Sequence, residues 1–113
     1  MQHICKEHNW TSASMPCLAC SKINGVDIAA TLTERGNRYG KFTGHALITQ
    51  TLKRSLQMHQ KWDALDDDQK EALDMICHKI GRVVNGDPDY ADSWVDIAGY
   101  AKLVADRLEG VER

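Results

Sequence analysis

The chain has no apolar run approaching the ~20 residues that a membrane-spanning helix needs. Its first residues carry neither the basic nor the apolar region of a secretory signal. Both absences lead us to expect a soluble protein of the cytoplasm. There is no surplus of positive charge either: fourteen Lys and Arg stand against sixteen Asp and Glu, a formal net charge of −2. No whole-chain field would therefore hold a phosphate backbone, and nucleic-acid binding would have to be local. No alternating strand pattern of useful length and no internal repeat are present. What remains is 113 residues, 42% of them hydrophobic, enough for one small domain with a modest core of the kind that often needs a staple or a partner subunit.

A staple is available. Residues 1–22 are short of large apolar side chains but hold His3, Cys5, His8, Cys17 and Cys20. Cys5-x-x-His8 and Cys17-x-x-Cys20 are two pairs that can each wrap one side of a tetrahedral Zn²⁺, with His3 an alternative to His8. Three thiolates and an imidazole make a closed, structural kind of site with no open position for catalytic water. The competing reading is that these thiols are free or redox-sensitive; an intracellular setting favours a metal over disulfides. Lys6 and Lys22 alone make no basic stripe, which argues against nucleic acid as the knuckle's partner.

From Ile23 onward the pattern is helical. Val26, Ile28, Ala29, Ala30 and Leu32 predict a short helix ended by Gly36, followed by a structured loop over 34–43. A second helix is expected over about 44–62, with Trp62 as a core anchor. Asp66, Asp67 and Asp68 sit where a third helix begins, suiting the positive end of its dipole. Leu73, Ile76, Cys77, Ile80, Val83 and Val84 then recur at helical spacing, as do Trp94, Ile97, Ala98, Ala101, Ala105 and Leu108 after the stop signal Asn85-Gly86-Asp87-Pro88. These two stripes are expected to be the buried sides of an antiparallel hairpin, with Cys77 a small buried hydrophobe and Trp94 a second anchor. The expected fold is all-α: a bundle of about four helices over 23–113 with a small zinc knuckle over 1–22.

Opposite the stripes lie polar sides. Glu71, Asp74, His78, Arg82 and Asn85 share one side of the first hairpin helix, and Asp92, Asp96 and Gly99 one side of the second. Such sides are ordinarily solvated. Carboxylates one turn apart on adjacent helices could instead clamp Mg²⁺, which takes oxygen ligands and is commonly shared with substrate phosphates. Gly99 in mid-helix costs about 1 kcal/mol relative to Ala and suggests a close approach there; Leu103 shares that side, as though it were partly covered. His45 and His59 have no assembled acidic partner.

"ERGNRYGKF", "WDAL" and "EALDMICHKIGRVVNGDPDYADSWVDIAGYAKLV" resemble a family of small bacteriophage proteins of unknown function, similar in turn to the all-alpha, MazG-like nucleotide pyrophosphohydrolases and to phage nucleotide-modification-associated domains. The resemblance covers about Ile28 to Leu108. It implies a Mg²⁺ site from Glu71, Asp74, Asp92 and Asp96, phosphate contacts from Lys79 and Arg82, and base or sugar contacts from Arg38 and Tyr39; Tyr100 is divided between packing and ligand contact. The chain departs from the family pattern in lacking paired adjacent glutamates and in having Asp-x-x-x-Asp where Glu-x-x-Asp is usual. His78 and Arg82 stand where further carboxylates would be expected, which weakens a cation site. Two functional readings follow. One is a phage-encoded, nucleotide-binding protein acting in the host cytoplasm, with pyrophosphohydrolase-like use of Mg²⁺. The other is a non-enzymatic accessory protein that binds and inhibits a host protein. Either is expected to be a homo-oligomer, and neither a membrane protein.

Overall fold

A computed structural model describes residues 25–113, together with the backbone of short strands at 3–5, 10–12 and 22–23. The chain divides into two compact units, 1–35 and 36–113. In the first, β1 (His3–Cys5) pairs antiparallel with β2 (Trp10–Ser12), and β3 (Lys22–Ile23) with β4 (Val26–Asp27). Strands this short leave too little alternation to be seen in a sequence, so their presence corrects the expectation of none. Asp27 then caps the first helix, α1 (Ile28–Tyr39), its carboxylate accepting from the Ala30 N–H at 3.1 Å.

Contrary to expectation, α1 runs through Gly36. A lone glycine weakens a helix without ending it. The stop is Gly40, whose φ of +79° suits a residue without Cβ and whose N–H returns to the Gly36 carbonyl at 2.9 Å. The remaining helices are α2 (Phe42–Gln57), α3 (Asp67–Asn85) and α4 (Ala91–Leu108), with a 3₁₀ turn at Trp62–Ala64. α2 thus stops five residues before Trp62, and Trp62 is only half-buried. α3 begins where the charge pattern placed it; Asp66 caps it, and the Gln69 side chain accepts the Asp66 N–H at 2.8 Å. The chain is mainly helical, and among the described residues no helix is long and apolar enough to cross a membrane.

In the second unit α3 is central, packed against α2 on one side and α4 on the other. The hairpin of α3 and α4 is antiparallel, as expected: Arg107 near the end of α4 reaches Asp66 and Asp68 at the start of α3, and Lys79 meets Asp96 midway. Which sides are buried was not expected. Of the two apolar stripes only Cys77 is buried; Val84, Trp94 and Leu108 are 66%, 54% and 61% exposed. The buried polar residues are instead His45, Thr49, Lys79 and Ser93. Trp94 is therefore no core anchor. Its indole N–H donates to the Pro88 carbonyl at 2.8 Å, which fixes the ring across the outer surface of the turn.

Close helix crossing explains part of this inversion. A Cβ on Gly81 would lie 2.5 Å from Thr49 Cγ2 and 2.9 Å from His45 Nδ1, so the glycine lets α2 approach α3 on its polar side. Among the described residues nothing lies within 4 Å of a Cβ on Gly99, so none of them makes the close approach expected there. Gly81→Ala is expected to cost about 1–3 kcal/mol by overpacking. Gly99→Ala should gain up to about 1 kcal/mol of helix propensity. Urea unfolding of the two variants separates them by sign, and a destabilised Gly99→Ala would show that a neighbour approaches that helix after all.

Candidate functional site

Two loops build the best-defined polar cluster. Asn85 at the end of α3 donates its side-chain amide to the carbonyls of Tyr39 and Lys41, at 2.9 and 2.8 Å, and the Asp87 N–H donates to the Arg38 carbonyl at 2.8 Å. Gly86 permits this contact, since a Cβ there would collide with the Tyr39 backbone. The loop after α1 is thereby fastened to the turn before α4. Fastening aligns four side chains: the Arg38 guanidinium lies 4.3 Å over the Tyr90 ring, Tyr90 and Tyr39 meet edge to face at 6.1 Å, and Arg82 lies 4.2 Å over Tyr39. Arg38 also donates to the Tyr90 hydroxyl at 3.1 Å, and that hydroxyl donates to Asp92 at 2.8 Å, which pushes the Tyr90 phenol up. Among the described residues Arg82 has no carboxylate partner. A guanidinium lying on a ring retains an edge of N–H donors suited to phosphate.

The next layer lies between α2 and α3. His45 is 5% exposed, and its Nε2 shares a proton with His78 Nδ1 across 3.2 Å. Burial pushes His78 down to about 4, assisted by His45, Arg82, Lys79 and Lys53; burial and then Arg82 lower His45 as well. Both rings are consequently neutral at neutral pH. Asp74 is one turn before His78, and its Oδ1 is buried without a hydrogen-bond partner. The Cys77 thiol is buried and pushed up by that burial, which suits packing better than nucleophilic chemistry.

Between α3 and α4, the buried ammonium of Lys79 meets the Asp96 carboxylate at 2.9 Å. A cleft of about 450 Å³ lies further along the pair, lined by Glu71, Ala72, Tyr100, Leu103, Val104 and Arg107, among others. At one end Arg107 clasps Asp68, holding that carboxyl below its usual range.

The structure thus brings Arg38, Tyr39, Arg82 and Asp92 together, pairs Lys79 with Asp96, and puts Glu71 and Tyr100 in the wall of one cleft. It does not gather the four carboxylates. With Lys79 level with Asp96, Glu71 lies eight residues, or about 12 Å, along the axis, Asp74 about 7 Å, and Asp92 about 6 Å in the other direction. Among the described residues no three His, Cys, Asp or Glu side chains come together as a metal site. Asp92 and Asp96 lie one turn apart, Asp96 held by Lys79 and Asp92 by the Tyr90 hydroxyl. The expected zinc ligands cannot be placed: Cys5 falls in β1, and its side chain, like His8, Cys17, Cys20 and the alternative His3 side chain, lies outside the described residues.

Residues 26–108, most of the chain, match the family described as a domain of unknown function, DUF6378. The chain belongs to that family. Among curated proteins and solved structures, none matches it significantly. The matched span of this DUF6378 member includes both loops of the Arg–Tyr cluster, the histidine pair and the Lys79–Asp96 bridge. Sequence reasoning did not find the histidine pair or the bridge. The one available signal was His45 and His78 each lying beside small residues, Gly44 and Gly81 among them, on their helices.

The histidine pair has a consequence for stability. An unfolded histidine titrates near 6.5, above both folded groups, so as pH falls the unfolded state takes up protons first. The pair's contribution is complete above about pH 6.5 and is lost progressively toward pH 4. The thermal midpoint should fall between pH 7 and pH 5 more steeply in the wild type than in a His45→Gln/His78→Gln variant. Equal slopes would mean that the pair does not govern this titration.

Proposed function

We propose that this protein binds a nucleoside phosphate at the Arg–Tyr cluster, Arg82 and Arg38 meeting the phosphates beside Tyr39 and Tyr90. The observation that carries the reading is the Arg82 guanidinium, laid on Tyr39 without a carboxylate partner among the described residues, in a cluster that Tyr90 extends to Asp92. Asp92 is the residue that would meet Mg²⁺ arriving with a triphosphate, where the ion would offset phosphate charge, since Asp96 is taken by Lys79. The resemblance to phage proteins and to all-alpha pyrophosphohydrolases supports the same reading. Binding without hydrolysis is the activity proposed, because Lys79 already neutralises Asp96 while Glu71 and Asp74 lie away from the cluster.

The test is calorimetric titration of a deoxynucleoside triphosphate, with Mg²⁺ or with EDTA, into wild type, Arg82→Ala and Asp92→Asn. Wild type should bind, and Arg82→Ala should weaken binding by roughly tenfold or more, the value of a charged hydrogen bond. Asp92→Asn should remove only the Mg²⁺-dependent part. Absence of heat in the wild type would reject the proposal and leave the second reading, a non-enzymatic protein that binds and inhibits a host protein. That reading is favoured by Phe42, Leu47 and Met58, all strongly exposed in or just after α2.

Beside this site, Cys5, His8, Cys17 and Cys20 are proposed to hold one structural Zn²⁺, with support from their spacing alone. Metal analysis of the purified protein should give one zinc per chain, lost in Cys20→Ser. A metal-free wild type purified without chelator would reject it.

A further inference from the structure

The outer side of α4 carries an exposed apolar pattern. Ala91, Trp94, Ala98, Ala101, Ala105 and Leu108 are separated by three and four residues alternately, a heptad seam along the full length of the helix. All six are exposed. Ile97 and Val104 lie between this seam and α3. At 100° per residue, and with Asp68, Ala72 and Lys79 facing α4, the Leu73, Ile76, Ile80 and Val84 stripe of α3 falls on the same side of the hairpin as the seam. The Arg–Tyr cluster and Asp96 belong to the opposite side. The hairpin therefore has one polar and one apolar side; on the apolar side the α4 seam and Val84 are exposed, while Leu73, Ile76 and Ile80 are half-buried.

The protomer needs that side covered. Among the described residues only Ala72 and Cys77 are buried hydrophobics, and no large side chain is fully buried. A layer of helices hides its apolar side only against a second layer.

We infer that the covering layer is a second copy of this chain, packed α4 against α4 in antiparallel orientation about a two-fold axis between Ala98 and Ala101. In an antiparallel pair each a position faces a d position of the partner helix. With the axis there, Trp94 faces an alanine, Ala105, and Leu108 faces another, Ala91; Ala98 faces Ala101. Every large residue meets a small one. A parallel pairing would stack tryptophan on tryptophan and leave gaps along the alanines. Complementarity of a surface to its own rotated copy is a property expected of a self-association site, and a different protein would not require it. The tryptophan is also preorganised by its hydrogen bond to Pro88, so little side-chain freedom is lost on docking.

The size is sufficient. An 18-residue helix is about 27 Å long, and two packed helices are about 18–20 Å wide. Such a face covers on the order of 500 Å² in projection on each copy, a total near the ~1,000 Å² that a specific interface requires.

Light scattering on the full chain should give twice 12.7 kDa, and Ala101→Glu should shift it toward the single mass. Because that variant could also lose helix, orientation is read separately by cross-linking. Under mild oxidation Ala98→Cys/Ala101→Cys should form a covalent dimer whose linked peptides join 98 to 101. Ala105→Cys should not link through residue 105, since its counterpart lies about 16 Å away along the axis. A wild type of 12.7 kDa at high micromolar concentration, an Ala101→Glu dimer, or 105-to-105 linkage would each overturn the inference.

Discussion

Arg107 with Asp68 and Lys79 with Asp96 hold α3 and α4 in one antiparallel register, and that register determines which side chains can meet. It carries the α4 N-terminus back to the end of α3, where Tyr90 and Asp92 join the loop that holds Arg38 and Tyr39. The same alignment spreads Glu71, Asp74, Asp96 and Asp92 along the hairpin. Lys79 stands where a shared metal would otherwise balance charge, an internal cation whose removal from Asp96 would leave a buried ammonium unpaired. The two polar clusters are consequently different in kind: one is closed on itself, and the other ends in a guanidinium with donors to spare.

Glycine placement makes this geometry attainable. Gly40 turns the chain after α1, Gly86 lets the turn backbone lie against Tyr39, and Gly81 lets α2 press on α3 closely enough to bury His45 against His78. Each sits where a side chain would collide with a neighbouring helix or loop. Gly99 has no such neighbour among the described residues and lies on the polar side, level with the cleft that contains Tyr100.

The positions of α3 and α4 and the turn between them were legible in the sequence, because they depend on local periodicity and local backbone chemistry. The sides those helices bury were not. Periodicity identifies an apolar stripe but cannot say whether the chain itself or another molecule covers it, and here the Trp94–Leu108 stripe lies outward. The candidate site was partly legible. Arg38, Tyr39, Arg82 and Asp92 meet because two turn-forming motifs dock, whereas spacing along one helix gave no indication that Glu71 and Asp92 would lie about 18 Å apart along the axis. His45 looked unpartnered because its partner is 33 residues away on another helix, joined only by the α2–α3 crossing.

A core whose buried hydrophobics, among the described residues, are an alanine and a cysteine contributes little to offset the chain entropy lost on ordering four helices. If assembly supplies the remainder, folding becomes a second-order process: dilution lowers the melting point, and the folded fraction follows the amount synthesised. Abundance then acts as a threshold, below which the helices are open to proteolysis and above which the polar cluster persists long enough to be occupied.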